Sequence, residues 1–141
     1  MKLILFTCLL LLQITLFEKM NAQWVRTNGT FGSSVHTLSL SGTTLLVGTD
    51  FSGAFRSTNN GDDWTPINSG MTNPSVWSFA ALGNRLVAGT YGGGASISTD
   101  TGTVWTSLNA DLAKSPVISL AVIGDAIFAG TVGRCLRLDA R

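Results

Sequence analysis

The chain writes one eight-residue stretch twice. STNNGDDW, from Ser57 to Trp64, returns 41 residues later as STDTGTVW, from Ser98 to Trp105. The same spacing aligns Val35 with Val76 and Val117, and Gly42 with Gly83 and Gly124. It also aligns Gly48-Thr49 with Gly89-Thr90 and Gly130-Thr131. A sustained period near 40 residues constrains a fold more tightly than composition does. Each period is a small unit that cannot bury its apolar face alone, so the units must stack.

Within each period the pattern is that of strands. VHTLSLSG, VWSFAALG and VISLAVIG are short apolar runs that end on a glycine turn. TLLVGT, RLVAGT and AIFAGT follow at hairpin distance. A third strand is expected near GAFRS and GASIS, and a fourth from Trp64 and Trp105. No segment sustains a helical period. The chain therefore reads as all-β.

Alternation along the first strand separates two faces. Val35, Thr37 and Ser39, then Val76, Ser78 and Ala80, then Val117, Ser119 and Ala121 make a small face. The other carries His36, Leu38 and Leu40, then Trp77, Phe79 and Ala81, then Ile118, Leu120 and Val122. Large against small on successive sheets is what radial stacking needs. A single sheet with one wet face does not need it. Four-stranded propeller blades have this period and this packing.

The doubled stretch has the form Ser-x-Asp/Asn-x-Gly-x-x-Trp, and each residue type has a task. Ser57, Ser98, Asn59 and Asp100 can take hydrogen bonds from backbone N–H groups that a reversing chain leaves free. Gly61 and Gly102 allow positive φ. Trp64 and Trp105 cover the turn, and a buried tryptophan hides about 150–250 Å². At about 25 cal/mol per Å² that burial contributes on the order of 4–6 kcal/mol as an upper bound.

This stretch resembles the Asp-box, or BNR repeat, of sialidases, sortilin-type receptors and YCF48-like photosystem II assembly factors. Ser98, Asp100, Gly102 and Trp105 fit the motif, and Ser57, Asn59, Gly61 and Trp64 fit it with Asn for Asp. The resemblance runs through about residues 24–138 as degenerate repeats and implies a β-propeller. Asp-boxes usually lie away from active sites, so it implies no sialidase chemistry.

The repeats fall at about 35–75, 76–116 and 117–141. Residues 24–34 form a fourth strand of a split or preceding blade, because Trp24-Val25-Arg26-Thr27-Asn28-Gly29 resembles the stretch from Trp64 to Gly70. The expected result is two whole blades plus one split blade, an incomplete ring. Open propeller edges invite association, and two chains would make six blades. Alternatively the chain is a fragment of a longer gene. Codons for Arg134–Asp139 can be chosen so that a one-base shift reads Gly-Val-Phe-Gly-Ser-Thr, the strand the register expects. On that reading the frame changes near Gly133, and Cys135 is an accident of it.

In front of the repeats, residues 1–22 read as a signal peptide. Met1-Lys2 precedes the apolar run LILFTCLLLLQITLF, with small residues near Ala22. The run is short for a membrane span; an uncleaved N-terminal anchor is the alternative. Leu5-Phe6-Thr7 lacks the small residue that usually precedes a lipidated cysteine, so Cys8 is not read as a lipid site. Cleavage would leave residues 23–141, secreted or periplasmic, with no membrane insertion. Without Lys2, Lys19 and Glu18 the chain keeps seven basic and seven acidic residues. That balance gives nothing to attract nucleic acid or an anionic membrane. Cys135 then has no internal disulfide partner.

Catalytic chemistry finds little to work with. A sialidase-like site needs clustered arginines and a Tyr–Glu pair. Beyond Glu18 the chain has no glutamate, its one tyrosine is Tyr91, and Arg26, Arg56, Arg85, Arg134, Arg137 and Arg141 are scattered. A pair of aspartates can hydrolyse glycosides, but Asp50, Asp62, Asp63, Asp100, Asp111 and Asp125 fall mostly at expected turns. His36 lacks partners for a metal or a triad and is expected in a blade interface or channel. Tyr91-Gly92-Gly93-Gly94 lies between strands, where a phosphate cradle would need a helix. Asp62-Asp63 is not a cation ligand set. Asn28-Gly29-Thr30 is a glycosylation sequon.

The expected function is therefore an exported, non-catalytic propeller segment that binds or scaffolds, with no cofactor and no metal. Its ligand would be a protein or a glycan. One alternative is a fragment of a sialidase-like hydrolase whose catalytic residues lie elsewhere. Another is an assembly factor of the YCF48 type for a membrane complex.

Overall fold

The computed structural model describes residues 23–29, 33–108, 112 and 115–139. The expected signal segment, Asp111 and the start of the loop after Asn28-Gly29 lie outside them. Among the described residues there are eleven strands and no helix. The first sheet holds β1 (Val35–Ser41), β2 (Thr44–Thr49), β3 (Ala54–Ser57) and β4 (Thr65–Pro66). The second holds β5 (Val76–Leu82), β6 (Arg85–Thr90), β7 (Gly94–Ser98) and β8 (Thr106–Ser107). The third holds β9 (Val117–Ile123), β10 (Ala126–Thr131) and β11 (Arg134–Asp139). Each sheet is an antiparallel meander in chain order.

Local chemistry explains the meander. β1 turns into β2 through Gly42-Thr43, with Ser41 paired to Thr44. Gly42 has φ 60°, and Gly83 and Gly124 have 61° and 58° at the same place. A first central residue with positive φ followed by a negative one is the two-residue turn whose twist suits a hairpin. The fourth strands begin one residue after Trp64 and Trp105 and are only two residues long.

The sheets stack side by side, with β1, β5 and β9 the nearest elements of successive sheets. The stack is open. Two apolar clusters fill the gaps. Leu46 and Ala54 of the first sheet meet Phe79, Leu86 and Trp105 of the second. Ala80, Val87 and Ala95 of the second meet Val117, Ile127 and Ala129 of the third. Moving along by one period turns the first cluster into the second. Leu46, Ala54, Val76, Leu86 and Ala88 become Val87, Ala95, Val117, Ile127 and Ala129. The blades expected from the sequence are thus present, large face on small face.

One detail departs from simple alternation. Val76, Ser78 and Ala80 were expected on one face. Instead Val76 packs in the first cluster, while Ser78 bonds to the Val117 carbonyl of the third sheet at 3.2 Å. The ladder explains it: Val76 pairs with Thr90 but Ser78 pairs with Gly89, so Trp77 is an extra residue. The same bulge recurs between Val35 and Thr37, and opposite Gly130 and Thr131. A bulge turns the residues before it to the other face. His36, Trp77 and Ile118 are the residues so displaced.

β11 pairs along its full length with β10, yet its burial differs from that of β3 and β7. Cys135, Arg137 and Leu138 are exposed, whereas the matching places in β7 are mostly buried. The segment from Trp24, expected as a fourth strand, pairs with no sheet here. Trp24 is 102% exposed and Val25 80%.

Candidate functional site

The meander gives the stack two ends. The turns at 42–43 and 58–64 lie at one end, with their second-sheet counterparts. The loops at 50–53 and 67–75 lie at the other, with 91–93. The two ends carry different chemistry.

The first end holds the repeated turns. Ser57 Oγ accepts from the Gly61 N–H at 2.9 Å and donates to Asn59 Oδ1 at 2.9 Å. Asn59 Oδ1 also accepts from the Asp63 N–H at 3.0 Å. The second turn copies this: Ser98 Oγ accepts from Gly102 at 2.8 Å and donates to Asp100 Oδ1 at 2.6 Å, which accepts from Val104 at 3.0 Å. Gly61 and Gly102 both have φ 92°. Each side chain closes a loop of backbone donors that water would otherwise have to satisfy. Asp62 and Asp63 are exposed, and Asp63 takes an Asn59 amide bond at 3.0 Å.

The tryptophans differ. Trp64 Nε1 donates to the carbonyl of Gly61 in its own turn at 3.0 Å. Trp105 Nε1 donates to Ile67 of the preceding sheet at 2.7 Å, and its side chain is 2% exposed. The repeated residues thus come together in one hydrogen-bonded turn on each of the first two sheets.

Asp100 gives this end a pH dependence. The Ser98 hydroxyl and then the Val104 N–H favour its charged form and hold its carboxyl below the ordinary value of 3.8. A depressed carboxylate stabilises the fold above its unfolded value, and the contribution is lost as pH falls through the folded one. Amide exchange at Gly102 and Val104 is therefore expected to speed up selectively in acid, below about pH 4. In the first turn the acceptor at this position is the Asn59 amide oxygen, so the Gly61 and Asp63 amides should not follow; equal acid sensitivity in both turns would contradict the assignment.

The second end holds an aromatic ladder. His36 stacks on Trp77 with ring centroids 4.3 Å apart and planes 14° apart. Trp77 stacks on Tyr91 at 4.6 Å and 24°. The bulges place His36 and Trp77 here, at the starts of β1 and β5. Around the rings is a polar net. Asp50 Oδ1 accepts from Ser75 Oγ at 2.7 Å, and Ser75 Oγ accepts from Trp77 Nε1 at 3.0 Å. His36 Nε2 lies 3.7 Å from Asp50 Oδ2. Backbone bonds fix the loops, Asp50 to Ser34 and Tyr91 to Ser75, each at 2.9 Å.

Phe51, the residue after Asp50, has φ 71° and 80% of its surface exposed. One and two periods on, that place belongs to Gly92 at φ 90° and Gly133 at φ 83°. A left-handed backbone costs a side chain about 1–2 kcal/mol. With 80% of its surface exposed, the ring contributes little to the core.

The net does not form a hydrolytic triad. A nucleophilic serine needs the imidazole between it and the carboxylate. Here Asp50 stands between Ser75 and His36, and Ser75 is 7% exposed. Among the described residues no three His, Cys, Asp or Glu side chains gather as a metal site.

In the sequence Asp50 reads as a turn residue and Tyr91-Gly92-Gly93-Gly94 as a turn between strands, and nothing within either strand pattern joins them. The signal was in the register. Positions 36 and 77 are one place on two blades, 50 and 91 another, and Phe51 replaces the glycine of the other copies.

No protein-family model matches the chain, and no curated protein does. Solved structures do. The computationally designed Ika4 protein superposes with TM-score 0.64 at 16% identity, over 80% of this chain and 69% of that one. An ancestral GH74 enzyme gives 0.66 at 23%, over 78% and 15%. YCF48 bound to D1 peptide gives 0.65 at 19%, over 86% and 42%. The last two are β-propellers. The sheets of this chain are propeller blades. The likeness concerns the fold, and the chain spans less than half the length of either of these two.

Proposed function

We propose that residues 23–141 are an exported, non-catalytic run of propeller blades that binds a glycan at the aromatic end. Residues 1–22 are its signal peptide, and the Ser-x-Asp/Asn-x-Gly-x-x-Trp turns are Asp-boxes that serve the fold. One observation carries the binding assignment: Phe51, the residue after Asp50 of the net around the His36–Trp77–Tyr91 ladder, is exposed in a left-handed conformation. Sugars present alternating C–H faces and hydroxyls. Tyr91, 52% exposed, supplies an apolar ring, and Asp50 supplies acceptors. The neutral balance of charge suits an uncharged ligand.

Tryptophan fluorescence, titrated with neutral soluble oligosaccharides, tests it. A saturable change is expected, because Trp77 sits inside the ladder. Phe51→Gly is expected to raise stability by about 1 kcal/mol while weakening binding. Tyr91→Ala is expected to weaken it further. Saturable binding that neither variant alters would place the ligand elsewhere, and the absence of any saturable change would refute the glycan reading.

A further inference from the structure

The two faces that end the stack fit each other. Trp105 fills the gap between the first two sheets, beside Ile67, Phe79 and Leu86. One period on, the matching residues are Leu108, Leu120 and Ile127, and they line a cavity of about 350 Å³. Among the described residues, none puts an indole into it. The cavity opens beside Leu136 and Leu138 of β11, whose outer edge pairs with no strand among the described residues.

The opposite face of the stack has the complementary parts. Val35, Leu38, Leu45 and Trp64 line a hollow of about 260 Å³ on the first sheet. Val35 is 54% exposed and Leu38 65%. Their counterparts Val76 and Phe79 are buried against a neighbouring sheet. Val76 lies against Gly48, and Val117 against Gly89. Gly130 is the third glycine of that series, and around it lies only Ser119 of its own sheet. It therefore offers an empty seat for a valine of the Val35 type.

The N-terminal arm joins these two faces. Thr27 and Gly29 pack near Gly61 and Trp64, much as Ile67 packs near Gly102 and Trp105. Trp24 then runs off the sheet, fully exposed, at the place in the register where a fourth strand starts.

We propose that two copies of this chain associate head to tail. The first sheet of one copy packs on the third sheet of the other, Val35 seats on Gly130, and the arm adds to β11 with Trp24 in the cavity. Arg26 then falls near Arg137, whose charge Asp139 already holds at 2.6 Å. The contact repeats both internal sheet contacts and joins different faces, so it is head to tail: it gives a ring where the rotation from sheet to sheet closes and an open filament where it does not. Two copies give six blades, inside the usual range of roughly 4–8.

Sedimentation equilibrium of the chain is expected to give twice the mass of one chain. Trp24→Ala alters a side chain that no sheet of its own copy buries, and it is expected to return the mass to that of a monomer. Gly130→Ala is expected to do the same with an unchanged circular dichroism spectrum, because only the Ser119 hydroxyl must move within one copy. A monomeric wild-type chain overturns the proposal. A dimer that survives both substitutions also overturns it, since another surface would then hold the copies together.

Discussion

Trp105→Ala is expected to lower the free energy of unfolding by about 3–5 kcal/mol, the range for removing a buried tryptophan. The indole lies between two sheets, 2% exposed, with its ring 6.2 Å from that of Phe79. It also holds the Ile67 carbonyl at 2.7 Å. Truncation leaves a cavity and an unpaired acceptor together. The loss is a large part of the roughly 5–15 kcal/mol that holds a domain together. Trp64→Ala is expected to cost clearly less. Its indole is half-buried and bonds within its own turn. Urea denaturation of the two variants measures the difference. Equal losses would show that the tryptophans serve their turns alone and do not tie one sheet to the next.

The repeat, the strands and the turns were legible because they rest on local chemistry. Ser57 reaches Gly61 four residues away, and Gly42 turns a hairpin within two. Such bonds leave a spacing in the sequence. The bulge at Trp77 leaves none, because one shifted pair in a ladder is decided by the partner strand. Its effect is nevertheless large: it sends Val76 to one sheet and Ser78 to another. The aromatic end was illegible for a related reason. Ser75 meets Asp50 across 25 residues, and His36 meets Trp77 across a full period. Pattern within a strand says nothing of such contacts. Comparison between periods does, since a glycine place occupied by Phe51 departs from its own copies.

Gly89→Ala is expected to destabilise the fold by about 1–3 kcal/mol, the cost of overpacking a tight site. Gly89 has no unusual φ, so the reason is not backbone freedom. A methyl group there would lie 2.6 Å from Val117 Cγ1 and 2.8 Å from the Val117 carbonyl. Both belong to the next sheet, and the carbonyl is also held by Ser78 at 3.2 Å. The carbonyl cannot withdraw without moving β9, and the Ser78 hydroxyl of Gly89's own sheet would have to turn away as well. Gly48→Ala meets Val76 Cγ1 and the Val76 carbonyl at 2.7 Å and should cost a similar amount. Thermal denaturation of the two variants checks this. A neutral Gly89→Ala would mean that the second and third sheets slide past each other freely. The large-on-small rule would then describe composition without governing how the blades pack. A substantial loss at both glycines, with none at Gly130 in a chain held monomeric by Trp24→Ala, would show that the sheet contact itself requires the missing methyl.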